Sequence, residues 1–101
     1  MSVEIWKFEL QPFGNKVMMP THARVLSVGF QGEDLKVWAV VVPSNVQKLR
    51  IFDVIGTGWK ADSKACGPFV GTVFHPAGLV FHVFDHGYEG DTVGSQKGGA
   101  L

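Results

Sequence analysis

The chain has 101 residues and a single cysteine, Cys66. No intrachain disulfide can form, so the fold must rest on packing, and the paired-cysteine zinc frameworks are excluded. There is no charge excess: nine Lys and Arg face nine Asp and Glu, for zero formal net charge. That argues against a nucleic-acid binder, which normally carries a basic excess. It also leaves little electrostatic resistance to self-association. The longest apolar run, Val37 to Pro43, is far too short to span a membrane. Residues Met1 to Lys7 lack the basic-then-apolar grammar of a secretion signal, so a cytoplasmic protein is expected. No GxSxG, HExxH or other catalytic grammar occurs, so no enzyme activity, catalytic residue or cofactor is expected.

What the chain has instead is apolar β-forming sequence. Hydrophobic residues make up 46%, too many for a disordered protein. They come in short runs of Val, Ile, Phe and Trp, punctuated by Gly, Pro and Asn. Glu4 to Leu10 alternates, with Trp6, Phe8 and Leu10 on one face and Lys7 and Glu9 on the other. Lys16 to Met19 is a short strand stopped by Pro20. Ala23 to Phe30 alternates with Leu26, Val28 and Phe30 on one side. Gln31-Gly32-Glu33-Asp34 reads as a hairpin turn. Lys48 to Ile55, Phe69 to His75 and Leu79 to His86 complete the strands, the last two joined around Pro76-Ala77-Gly78. A short helical turn is expected near Ser44 to Gln47.

Leu35 to Val42 differs from the others, because its last six residues are all apolar. A strand apolar on both faces is covered on both faces. It is therefore expected to be the central strand, with Val37, Trp38, Val40 and Val42 as candidates for a subunit interface. About seven short strands and short connections predict an all-β fold, a small antiparallel sandwich or barrel. Residues 1–87 form the single domain, and the Gly-rich stretch 88–101 is expected to be a flexible tail.

Three groups of side chains invite a chemical reading. Gly56-Thr57-Gly58-Trp59-Lys60 could contact a ligand or partner: its backbone N–H groups would cradle an anion, Lys60 would add charge and Trp59 would stack. The blander reading is a strand terminator with a partly exposed tryptophan. His75 and His82 could share a metal, since imidazole suits zinc or iron. Register decides: a two-residue loop puts them on one side of the hairpin, whereas a three-residue loop pairs His75 with Leu79 and separates them. In either register Asp85 points away from His82 and His86. The blander reading is imidazoles in semi-buried hairpin positions. Cys66 reads as a free loop thiol, and the aromatics read as core rather than stacking platforms. Lys7, Lys36, Lys48 and Arg50 make at most a modest basic strip.

The combined pattern resembles a known family. Its carriers are Ile5-Trp6-Lys7-Phe8, Met19-Pro20, Ala23-Arg24-Val25-Leu26-Ser27-Val28-Gly29, Trp38-Ala39, Arg50-Ile51-Phe52 before Gly56-Thr57-Gly58, Gly71-Thr72 and Leu79-Val80-Phe81-His82-Val83-Phe84. Over residues 4 to 86 the chain is similar to a family of small tailed-phage and prophage proteins whose domain has no known function. The resemblance implies a phage-encoded cytoplasmic protein and assigns no site residue. The expected function is a non-enzymatic binding protein, a homo-oligomer acting on a host or phage macromolecule, with a possible host-takeover or counter-defence role. Alternatives are a small-ligand or nucleotide binder at Gly56 to Lys60, a virion accessory protein, and a histidine-based metalloprotein.

Overall fold

The computed structural model describes residues 2–91. Seven strands carry the fold: β1 (Glu4–Leu10), β2 (Phe13–Pro20), β3 (Arg24–Gln31), β4 (Asp34–Val41), β5 (Gln47–Gly56), β6 (Phe69–Phe74) and β7 (Val80–Tyr88). They form a three-stranded sheet, β1-β4-β3, and a four-stranded sheet, β2-β5-β7-β6. Every neighbouring pair is antiparallel. The expected all-β sandwich is what the chain builds. Among the described residues no helix is long and apolar enough to cross a membrane.

Alternation decides what lies between the sheets. Leu10, Leu35, Val37, Ala39 and Val41 point inward from the three-stranded sheet, and Met19, Phe52, Val54, Val73, Phe81 and Val83 from the four-stranded one. β4 is the centre of its sheet, as its composition demanded. Val37 is completely buried within its own chain, so it is no interface residue. Trp38, Val40 and Val42 are half-buried, and Trp38 and Val40 alternate to the outer face of β4.

Three local expectations change. A bulge between Val25 and Ser27 rotates β3, so Val25, Val28 and Phe30 face the core and Leu26 is left exposed. Val42 to Asn45 form a turn, with Pro43 and Ser44 at its centre, closed by Asn45 N–H on the Val42 carbonyl at 2.9 Å, not a helical turn. Among the described residues the one helical turn is the 3-10 segment Ser63–Ala65, where the Asp62 side chain caps Lys64 N–H at 2.8 Å. The lysines do not line up as a strip: Lys7 and Lys36 belong to one sheet, Lys48 and Arg50 to the other. Tyr88 closes β7, Glu89 N–H bonds the Leu49 carbonyl at 2.8 Å, and Asp91 pairs with Lys48 at 3.3 Å. The remainder of the expected tail, 92–101, lies outside the described residues.

Candidate functional site

Begin with the histidines. β6 pairs with β7 so that Phe74 faces Val80, and His75 N–H donates to the Leu79 carbonyl at 2.7 Å. The loop therefore holds three residues, and His75 and His82 point to opposite faces of the hairpin. They form no shared metal site. His82 sits between two hydroxyls, with Nε2 at 2.7 Å from Thr57 Oγ1 and Nδ1 at 3.0 Å from Thr72 Oγ1. His75 Nδ1 accepts Ala77 N–H at 2.9 Å, and its ring stands edge-on to Phe30. Among the described residues no three His, Cys, Asp or Glu side chains gather closely enough to hold a metal.

The Gly56 to Lys60 loop is a packing device. Thr57 N–H donates to the Val80 carbonyl and Trp59 N–H to the Gly56 carbonyl, both at 3.0 Å. Two of the N–H groups that an anion cradle would use are therefore engaged within the chain. Trp59 stacks on Phe13 at 4.9 Å and meets the edge of Phe81 at 5.6 Å, closing one end of the sandwich. Position 56 must be glycine, because a Cβ there would run into the indole of Trp59. Beside this end opens a cleft of about 220 Å³ whose lining includes Glu9, Glu33, Asp34, His75, Phe30 and Phe81. Its carboxylates do not converge on a common point with the imidazole.

The polar cluster that alternation did not reveal lies at the other end of the core. Arg50 binds Asp85 through two nitrogens, at 3.0 and 2.6 Å, and its third donates to the Ala23 carbonyl at 2.7 Å. The guanidinium lies 4.8 Å above the ring of Tyr88. Tyr88 donates its hydroxyl proton to the Pro20 carbonyl and accepts Ala23 N–H at 3.1 Å. Burial works against the Arg50 charge, but the hydrogen bond and charge of Asp85, with Tyr88 adding to both, outweigh it and raise its pKa above the ordinary value. This cluster clamps the Thr21-His22 turn, where His22 has a left-handed φ of 64°. The sequence signal was one cation in the apolar run of β5 and one anion in that of β7, on strands that turn out to be neighbours.

A second polar group fixes the long loop after β5. His86 Nε2 lies 2.9 Å from Asp53 Oδ2 and 3.1 Å from the Ala65 carbonyl. Gly67 packs on the His86 imidazole so closely that a Cβ would strike it, and Asp85 N–H holds the Pro68 carbonyl at 2.8 Å. Cys66, in the same loop, is exposed and free.

The remaining site is a surface. On the outer side of the three-stranded sheet, Ile5 is 63% exposed, Val3 and the bulge residue Leu26 are also exposed, and Trp38 and Val40 are half-buried. No described element packs across this face. Beside it the backbone edge of β1 pairs with no described strand, since among the described residues β1 bonds only β4. No curated protein and no solved structure matches the chain. The model of the domain of unknown function DUF7352 matches residues 1–92, and the chain belongs to that family.

Proposed function

We propose that the protein is a non-enzymatic binding module, encoded by a phage or prophage, that works in the host cytoplasm as a homo-oligomer and acts by contact with a host or phage macromolecule. One observation carries the homo-oligomer: the β1 side of the three-stranded sheet combines an unpaired backbone edge with outward Val3, Ile5, Trp38 and Val40. Apolar side chains left uncovered beside an open strand edge favour contact with another chain, and a neutral chain offers little resistance to association. The non-enzymatic part is supported by where the polar side chains are used. His82, His86, Arg50 and Asp85 each hold a neighbouring element in place.

Light scattering on the full chain tests this reading. The expected mass is at least that of two 11.0 kDa chains at micromolar concentration. A strict monomer across that range overturns it. Recovery of tagged protein from infected cells, with and without the exposed face intact, then identifies the macromolecule.

A further inference from the structure

We infer that two copies of the chain join through β1, strand to strand and antiparallel, in the register that sets each Lys7 opposite the partner's Glu9. The inference rests on the homo-oligomer reading and names the joint.

The fold leaves few edges for such a joint. β3 and β6 run alongside each other and shield one another. β2 is a poor template: it opens with Phe13 in a left-handed conformation, ends at Pro20 and has Lys16 tied to Glu89. β1 has no proline and no bulge, and it pairs with β4 without a register shift.

The hairpin between β3 and β4 shows which groups of β1 point outward. Gln31 and Asp34 flank a two-residue loop whose Gly32 has φ 65°, so they form a hydrogen-bonded pair. Bonding alternates from there, so Leu35, Val37 and Ala39 turn their N–H and C=O toward β1. Their partners Leu10, Phe8 and Trp6 are thereby satisfied. Ile5, Lys7 and Glu9 present N–H and C=O to the open edge.

Side chains select among the registers that keep the two inner faces on one side. Centred on Lys7, the pairing sets Lys7 against itself, which is repulsive. Centred on Trp6, it sets Lys7 and Glu9 opposite apolar Ile5 and Val3. Centred on Phe8, it sets Lys7 opposite Glu9 twice over, Phe8 opposite Phe8, and Trp6 opposite Leu10. Trp6 and Phe8 are only half-buried in the single chain, so this register also covers core aromatics. Within one chain Lys7 donates to Gln31 at 2.7 Å, and Glu9 meets Lys36 at 3.5 Å and accepts from Gln11 at 3.0 Å. These are exposed contacts of small worth, which the pairing can replace.

The test uses charge reversal on the full chain, followed by sedimentation equilibrium. Lys7→Glu and Glu9→Lys each make both cross-strand pairs repulsive, and each is expected to weaken the dimer by about tenfold or more. An equimolar mixture of the two variants makes both pairs attractive again and is expected to restore wild-type affinity as a heterodimer. The milder Lys7→Gln and Glu9→Gln are expected to weaken the dimer by about threefold and guard against a reversal that disturbs folding. A wild-type dimer indifferent to all four substitutions overturns the β1 joint and leaves the homo-oligomer standing. Reversals that weaken the dimer without rescue in the mixture overturn the register. A wild-type monomer overturns the joint together with the homo-oligomer.

Discussion

The outer faces of the two sheets differ in how far their own chain covers them. That of the four-stranded sheet carries Asp53, His82, His86 and Thr72, and the 57–68 loop folds back to bond several of them. That of the three-stranded sheet carries Ile5, Trp38 and Val40 among Lys7, Glu9 and Lys36, and no described element covers it. The loop ties down polar side chains where the chain covers itself, whereas the bare face leaves Ile5 63% exposed beside an ion pair of its own, Lys36 with Glu9. The apolar side chains on the bare side are what support the contact surface proposed above.

The strongest way to break the contrast is to remove the polar partner nearest the core. Arg50 and Asp85 have side chains only 12% and 15% exposed. Asp85→Ala leaves the guanidinium without its bidentate partner and should cost about 3 kcal/mol in urea unfolding, the lower end for a broken buried pair. Asp85→Asn should recover part of this. A loss below about 1 kcal/mol would mean that the clamp does not hold the Thr21-His22 turn.

The contrast sharpens within one strand. Val37 points inward from β4 and is fully buried, whereas Val40 points outward and is half-buried. Val37→Ala should destabilise by about 2 kcal/mol and Val40→Ala by less than about 1 kcal/mol, as cavity cost follows burial. Equal losses would show that the outer face is covered after all.

A smaller effect is expected at the strap. His86→Ala removes the contacts to Asp53 and Ala65 and should cost about 1 kcal/mol. Limited proteolysis should then cut between 57 and 68 faster than in the wild type. Unchanged cleavage would show that the loop holds without its histidine. The smallest effect is at Ile5. Ile5→Thr should change the unfolding free energy of the single chain, measured at high dilution, by no more than about 0.5 kcal/mol, as at other exposed sites.

Much of this fold was legible in advance. β1 was delimited residue for residue, because its alternation is uninterrupted and Pro12 and Gly14 follow it. β4 was recognisable as central from its composition, although which side stayed bare was not, since Val37 and Val40 are the same residue type. On β3, Val28 and Phe30 keep the face that alternation predicts, but the bulge between Val25 and Ser27 adds one residue without any mark in composition, so Val25 turns in and Leu26 turns out. The histidine pair turned on one residue of loop length at Pro76 to Gly78. The Arg50, Asp85 and Tyr88 cluster needed the strand order: β5 and β7 become neighbours although β6 lies between them in the chain.

That cluster also sets a timetable for folding. Tyr88 closes a turn made of residues 20 to 23, so the first third of the chain is completed by the last strand. During synthesis the Thr21-His22 turn has neither its hydroxyl partner nor a charged Asp85 to hold Arg50. Such long-range closure places the chain among the slower small folders, on the order of milliseconds to seconds. It also makes the C-terminal strand the latch, so truncations within β7 should be far less tolerated than changes at the open edge of β1.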